Sequence, residues 1–269
     1  MHTDTITQAD IVRGLRELGL RPGHQVLAHS SLRSLGYVEG GADAVINALL
    51  EAVCPGGTVL VPTLTGSEAL SPANPPVFDP RRTPCWTGRI PETFRQRPDA
   101  LRSLHPTHSA AAIGADARAL TEDHLNSLTP CDELSPYGKL ARCQDGYILL
   151  IGVDHEVSTA LHHVEEVAGV DYHMQPAFAR ATIVVDGQAI YRHVLLHRYG
   201  TPRHFGAMEP IWIEQGIQRQ GTIGRATVRL VHVPRMVETT LRCLRVNRRL
   251  LCQDAPRRRS ILGIKGPIA

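Results

Sequence analysis

The 269-residue chain is poor in aromatic residues, with 2 Trp, 6 Tyr and 4 Phe, or 4% of its length. Such rings stack bases and sugars, so their scarcity argues against a single-stranded nucleic-acid platform and against an aromatic sugar-binding cleft. No apolar run reaches about 18 residues, which excludes a predicted membrane span. The polar N-terminal segment predicts no signal peptide.

Closely spaced cysteine pairs are also missing. The six cysteines lie at positions 54, 85, 131, 143, 243 and 252, and no two form a CxxC motif. A zinc ribbon or a redox dithiol therefore has no support. Reduced thiols and the lack of a leader predict a cytoplasmic protein. The apolar fraction of 42% and charged fraction of 20% are those of a globular chain, which excludes disorder.

Positive charge is concentrated at the C-terminus. Residues 255–269 carry three arginines and one lysine without an acid, so the net charge of +3 leaves residues 1–254 slightly negative. A nearly neutral body argues against nucleic-acid binding, because such domains cluster Lys and Arg on one face. We therefore expect one domain over 1–254 and a basic, flexible tail over 255–269. Periodicity predicts no oligomeric state.

Apolar patterning predicts an α/β fold. Residues 25–29, 58–62 and 147–153 are short apolar runs typical of buried strands, and 42–53 has a helical period. The strand–helix–strand order predicts a right-handed parallel crossover. The unpatterned segment 63–88 is long enough to be a lid or a binding loop.

The pattern changes in the C-terminal third. Alternating residues flank Asp186-Gly187, a dipeptide typical of hairpin turns. Helical segments near 204–217 and 235–246 complete the body. The sequence thus predicts a single α/β domain with a mixed, largely parallel central sheet flanked by helices, plus a β-hairpin and C-terminal helices.

The loop after the first predicted strand is rich in hydroxyl groups. A loop leaving the carboxyl end of a strand presents unpaired backbone N–H groups that bind anions. The alternative is a serine-rich turn that caps the next segment. The motifs GxxxxGK[ST] and GxGxxG are absent, which argues against a P-loop nucleotide site and against a dinucleotide-binding site. The candidate residues are Ser30, Ser31, Leu32, Arg33 and Ser34.

A second polar segment, HPTHSAAAIG, enters an apolar strand at 105–114. His105 and His108 have a spacing that would suit a metal, but a strand places them on opposite faces. Hydrogen-bonded structural histidines are therefore the favoured interpretation. Thr107 and Ser109 are candidate ligand-contacting hydroxyls.

A third segment, TALHHVEEVA at 159–168, is predicted to be helical. Helical spacing pairs His162 with Glu165, and a carboxylate on one imidazole nitrogen leaves the other as a general base. An exposed ion pair of little energetic value is the alternative. Zinc is disfavoured because HHxEE lacks HExxH spacing and a third ligand. Without a GxSxG motif, covalent catalysis has no candidate nucleophile.

Seven segments together resemble the aminoglycoside 3-N-acetyltransferase family. The first and sixth of them are more specific than any short motif. In chain order they are HSSLRSLGYVEGGADAVINALLEAVCPGGTVLVPT (29–63), FDPRRTP (78–84), GRIPETFR (88–95), SLHPTHSAAAIG (103–114), SPYGKL (135–140), LLIGVDHEVSTALHHVEE (149–166) and GTIGRATVRL (221–230).

The resemblance implies direct transfer of acetyl from acetyl-CoA to an amine, the 3-amino group of an aminoglycoside. It implies that His162 is the general base, that Glu165 orients it, and that Thr159 stabilises the oxyanion. The serine-rich loop would hold CoA, with Thr107 and Ser109 along the pantetheine arm. No metal is expected, because a thioester is already an activated acyl group.

One stretch departs from the family pattern. Members that modify aminoglycosides carry acids after the hairpin, whereas LLHRYGTPRHFG at 195–206 has none and offers His197, Arg198, Arg203 and His204. Asp79 and Glu68 in the long loop are the candidate acids for a cationic substrate. A basic wall would instead suit an amine bearing an anionic group. A non-catalytic CoA-binding or metal-binding protein is disfavoured by the presence of both His162 and Glu165.

Overall fold

The computed structural model describes residues 5–254, and its local structure follows the sequence signals closely. Thr7 caps the first helix through a reciprocal capping box with Asp10, and Gly19 ends it in the left-handed conformation. The helices are α1 (Gln8–Leu18), α2 (Leu32–Leu35), α3 (Gly41–Val53), α4 (Arg89–Arg95), α5 (Ala117–Thr121), α6 (Pro136–Ala141), α7 (Ala160–Ala168), α8 (Glu209–Glu214) and α9 (Val233–Val246).

Ten strands of the described chain form two sheets. The strands are β1 (Gln25–Ser30), β2 (Thr58–Pro62), β3 (Val77–Phe78), β4 (Leu101–Arg102), β5 (Ala110–Gly114), β6 (Gly146–Ile151), β7 (Ala179–Val185), β8 (Gln188–Val194), β9 (Gln218–Ile223) and β10 (Ala226–His232). The central sheet has the order β4-β5-β2-β1-β6-β10-β9, and the smaller sheet has the order β3-β7-β8.

The mixed α/β sheet and the parallel crossover are confirmed. β1 pairs in parallel with β2 and with β6, so parallel pairing occupies the centre of the sheet. The strands outside this centre are antiparallel. The sequence prediction does not include β9 and β10: Gln218–Ile223 is largely polar, whereas the alternation in Ala226–His232 is a signal that the prediction did not use. The helix expected near 204–217 is shorter: a 3-10 turn at Phe205–Met208 precedes α8.

The predicted hairpin is confirmed as β7 and β8. Asp186 and Gly187 at its tip both have positive φ, as a two-residue hairpin turn requires. β3, from the long 63–88 segment, pairs in parallel with β7. The long loop is therefore anchored to the hairpin.

Apolar side chains pack on both faces of the central sheet. One cluster joins α1, α3 and α4 to the sheet, and includes Leu15, Ile46 and Phe94. The other joins α6, α7, α8 and α9 to the opposite face, and includes Tyr137 and Trp212. Within residues 5–254, the helices are too short or too polar to cross a bilayer. The predicted tail at 255–269 lies outside the described residues.

Candidate active site

The three polar segments predicted from the sequence meet at one edge of the central sheet. β1 and β6 run in parallel with Ser30 opposite Ile151, so the segments that follow them leave the sheet side by side. β5 is antiparallel to β2, which brings the start of β5 to the same edge, where the Thr63 N–H donates to Ser109 O at 2.8 Å. In open α/β sheets, ligands bind outside the carboxyl ends of the strands.

Glu165 is the buried acid at the centre of this edge. It has no exposed surface, and its Oε2 lies 2.8 Å from His162 Nδ1 and 3.1 Å from His173 Nδ1. Its Oε1 lies 2.7 Å from Arg203 Nε. The predicted His162–Glu165 pair is therefore formed, and it is not an exposed ion pair, because the carboxylate is inside the protein and is compensated by Arg203.

Glu166, the next residue, is a second acid whose side chain is only 6% exposed and which has different surroundings. It accepts hydrogen bonds from Thr129 Oγ1 at 2.5 Å and from the Cys131 N–H at 2.8 Å, and His197 Nε2 lies 3.1 Å away. These donors favour the charged form, but burial outweighs them and raises the pKa of Glu166 to about 8. Two adjacent carboxyl groups thus have distinct electrostatic surroundings.

Several imidazole rings surround the two acids. The ring centroids of His108 and His197 are 4.2 Å apart, and His108 lies 6.3 Å from His162. Burial lowers the pKa of His108 and of His197 well below the ordinary value, which keeps both rings neutral. His105 and His108 do not lie in a strand; they precede β5 in a turn where the His108 N–H donates to His105 Nδ1. Both rings are buried and hydrogen-bonded within the protein, as the favoured interpretation expects.

Polar atoms without protein partners collect at the same edge. Thr159 precedes α7, is 2% exposed, and makes no side-chain capping bond. Within residues 5–254, Ser30 Oγ, Ser158 Oγ and His29 Nε2 are buried without a hydrogen-bond partner. Buried polar atoms are rarely left unpaired, so this concentration is typical of a place where a ligand supplies the missing partners.

The serine-rich loop lines a groove of about 540 Å³. Ser30, Ser31, Leu32 and Arg33 all contribute, together with Tyr37 and Arg89 from outside the predicted set. Ser34 has another role: its Oγ donates to Ser31 O at 2.7 Å and so stabilises the loop. The serine at the start of α2, Ser31, makes no side-chain capping bond, so the loop is a turn held by Ser34 beside a concave surface with two arginines.

Thr107 and Ser109 are both buried, and their hydroxyls contact protein groups. Thr107 Oγ1 lies 2.9 Å from His108 Nδ1, next to the imidazole cluster. Ser109 Oγ donates to Thr63 O at 2.8 Å and is fully enclosed. This placement favours a structural role for Ser109, while Thr107 adjoins the site.

The two candidate substrate acids lie in different surroundings. Glu68 is exposed. Tyr199 lies near it, and the pKa of Tyr199 is raised by its own burial and by the negative charge of Glu68. Asp79 instead caps a turn by accepting from the backbone N–H groups of Arg81 and Arg82. It borders a separate, arginine-rich groove, which favours a structural role for Asp79.

The basic stretch at 195–206 does not form the positive wall expected from the sequence. Arg203 turns inward to Glu165, and His197 is buried beside Glu166 with a lowered pKa. Only Arg198 and His204 of the four named residues are exposed, and His204 Nδ1 lies 3.6 Å from a Glu156 carboxylate oxygen. The expected electrostatic mismatch with a cation is therefore wrong, because the protein's own acids offset the stretch.

Comparison with known proteins gives the class of this chain, which is an acyltransferase. The family model described as aminoglycoside 3-N-acetyltransferase matches residues 27–245, and the chain belongs to that family. It is 35% identical over 237 residues to aminoglycoside N(3)-acetyltransferase IV of Salmonella sp, covering 87% of this chain and 85% of the relative.

Solved structures agree with this assignment. A mutant of aminoglycoside acetyltransferase AAC(3)-IVa in complex with apramycin is 29% identical, with a TM-score of 0.78, and the match covers 93% of this chain and 96% of that one. The binary complex of AAC-IIIb with CoASH is 27% identical, with a TM-score of 0.78, covering 94% of this chain and 100% of that one.

Proposed function

We propose that this chain transfers the acetyl group of acetyl-CoA to an amino group of an aminoglycoside, at the 3-amino position that the family implies. The observation that carries the proposal is the buried Glu165 carboxylate 2.8 Å from His162 Nδ1. An imidazole held at Nδ1 keeps Nε2 for proton transfer. The relatives bound to apramycin and to CoASH support the two ligand classes.

The reaction is a direct attack in a ternary complex. As the amine nitrogen attacks the thioester carbonyl carbon, His162 Nε2 takes the amine proton, and Glu165 stabilises the imidazolium that forms. The Thr159 hydroxyl and a nearby backbone N–H donate to the tetrahedral oxyanion. The C–S bond then breaks and CoA leaves as the thiolate. A positioned base contributes about 10²–10⁴-fold, and each oxyanion donor contributes a comparable factor.

The groove beside Ser30 and Ser31 takes the CoA diphosphate and the start of the pantetheine arm. Arg33 and Arg89 on its rim offer positive charge, and exposed Tyr37 offers a flat face for a base. Thr107 lies further along the arm. The proposed chemistry requires no metal, because the acyl group is already activated as a thioester.

The acceptor amine is cationic in this proposal. Exposed Glu68 beside Tyr199 supplies negative charge to an ammonium group. An anionic amine loses its supporting argument, since Arg203 is committed to Glu165. The aminoglycoside therefore remains the favoured acceptor.

The test measures thiol release from acetyl-CoA across a panel of aminoglycosides, for wild type and His162→Ala. We expect turnover in the wild type and a turnover rate at least about 100-fold lower in the variant. The CoA affinity of the variant should stay within about a factor of two of the wild-type affinity. His24→Ala is the matched control, because His24 stacks on Tyr147 at the opposite edge of the sheet.

Two results would contradict the proposal. Turnover that survives in folded His162→Ala would show that His162 is not the general base. A wild type that binds CoA but acetylates none of the panel would show that the acceptor is not one of these aminoglycosides. Circular dichroism of each variant separates loss of chemistry from loss of folding.

A further inference from the structure

Three histidine rings face one another beside the proposed base. His162, His173 and His197 each offer a ring nitrogen, and these nitrogens all lie within 4.8 Å of one another. The ring centroids are 5.1 Å apart for His162 and His173, 4.9 Å for His162 and His197, and 4.0 Å for His173 and His197. Three imidazoles with an open fourth position form a common zinc ligand set.

The separation is close to what a metal requires. Zn–N bonds of about 2.0–2.1 Å in a tetrahedral site place ligand nitrogens roughly 3.3 Å apart, so the rings need to approach by no more than about 1.5 Å. Metal binding therefore requires these side chains to rotate within the site. His173 Nε2 is buried and, within residues 5–254, has no hydrogen-bond partner, so its bonding capacity is available to an ion.

A carboxylate contacts one nitrogen of each ring and so orients the ring. Glu165 Oε2 contacts the Nδ1 side of both His162 and His173, at 2.8 and 3.1 Å, which leaves their Nε2 atoms available. Glu166 Oε1 lies 3.1 Å from His197 Nε2. Metal-binding histidines almost always have such a carboxylate or carbonyl partner on the other ring nitrogen.

We propose that His162, His173 and His197 bind Zn²⁺ or a similar divalent transition metal, and that the bound ion inhibits acyl transfer by occupying the His162 nitrogen that accepts the proton. The bound metal is therefore an inhibitor and takes no part in the reaction. The inhibition rests on the function proposed above, whereas metal binding does not. Mg²⁺ prefers oxygen ligands and should neither bind there nor inhibit.

A second ligand set shares one of these residues. Cys131 Sγ, a Glu166 oxygen and a His197 nitrogen also lie within 4.8 Å of one another. The buried Cys131 thiol donates to Thr159 O at 4.0 Å, and a thiol must lose that proton to bind a metal. The three-histidine set needs no such loss, so it is the set proposed here.

Metal binding is tested on the purified protein without substrate, by Co²⁺ absorption spectroscopy and Zn²⁺ calorimetry. We expect one equivalent of tetrahedral Co²⁺, displaced by Zn²⁺. His173→Gln and His197→Gln should each weaken Zn²⁺ binding at least about 10-fold, since loss of an outer-shell partner alone costs 10–100-fold. His193→Gln is the matched control, because His193 lies exposed on β8.

Activity assays test the inhibition. Zn²⁺ should inhibit the wild type reversibly, with recovery on chelation. The Zn²⁺ concentration that halves the metal-free rate should be at least about 10-fold higher for His173→Gln than for the wild type. A purely octahedral Co²⁺ spectrum in the wild type would overturn the site. So would equal weakening by His193→Gln, or loss of binding in Cys131→Ser with retention in His173→Gln. Tight Zn²⁺ binding without inhibition would overturn the inhibitory role alone.

Discussion

At the scale of single residues, Glu165 shows what sequence spacing predicts and what it omits. Helical spacing places His162 over Glu165, and the structure confirms the contact at 2.8 Å. Arg203 and His173 contact the same carboxylate from distant segments, and no local pattern signals that approach. The sequence places Arg203 in a basic stretch, and the direction of its side chain depends on tertiary packing. Charge counted along a sequence does not reveal which acid a buried cation meets.

The Arg203–Glu165 pair gives the first prediction. Arg203→Met should lower the free energy of unfolding by about 3 kcal/mol, because it leaves an uncompensated carboxylate inside the protein. Combining it with Glu165→Gln should cost less than the sum of the two single variants, since the double variant buries no unpaired charge. Urea unfolding measures the cycle. Arg198→Met, an exposed neighbour, should stay within about 0.5 kcal/mol of wild type. Additive losses would show that the two groups do not interact.

Glu166 gives the second prediction. Burial raises its folded-state pKa to about 8 from an ordinary value near 4.5, so the folded state holds a proton that the unfolded state releases. Stability contributed by this group is therefore present below pH 4.5 and is lost as pH rises to 8. Glu166→Gln should remove that loss between pH 6 and 8, as measured by urea unfolding at each pH. Glu39→Gln, an exposed carboxylate, is the control. An unchanged slope in Glu166→Gln would assign the pH dependence elsewhere.

At the scale of elements, strong periodicity was sufficient for the centre of the fold. The strands of 25–62, the intervening helix, the buried strand near 147 and the hairpin were predictable because each has a clear period and a turn signal. β9 gives no strand signal because Gln218–Ile223 has polar residues on both faces, whereas β10 alternates and could have been predicted from Ala226–His232. The approach of the loop after β1 to the end of β6 was also beyond prediction, since it depends on parallel pairing.

That approach gives the third prediction. A Cβ at Gly152 would come within 1.6 Å of Ser34 Oγ and 2.3 Å of Ser34 Cβ, so Gly152→Ala must displace the loop that lines the proposed CoA groove. We expect CoA binding at least about 10-fold weaker, because phosphate contacts depend on loop geometry. Gly216→Ala is the matched control, because Gly216 has a φ of +61° and Gly152 a φ of +62°, but a Cβ at Gly216 would point into open space. Calorimetric titration with CoA measures both. Equal affinities would show that the loop position does not control binding.

At the scale of the whole molecule, buried histidines couple stability to acidity. Composition gave 14 histidines but did not indicate that most of those near the sheet edge are buried. Their burial follows from three segments converging at one edge, a tertiary event. The chain thus excludes water from imidazoles that would titrate near neutral pH in an unfolded chain.

Acid should therefore unfold this protein steeply. Burial lowers the pKa of His29 to about 3 and of His124 to about 4, and it lowers the pKa of His105 well below 6.5. Below pH 6.5 the unfolded state binds protons that these rings, like those of His108 and His197, refuse in the folded state, so stability falls as pH falls from 6.5 towards 4. Each such histidine contributes up to about 1.4 kcal/mol per pH unit to the slope. Urea unfolding between pH 7 and 5 measures the slope, and His29→Gln should reduce it by about 1.4 kcal/mol per pH unit. His193→Gln controls for loss of an exposed imidazole. Because Glu166 acts in the opposite direction, maximal stability should lie near pH 7, and a maximum below pH 5 would contradict the burial of these rings.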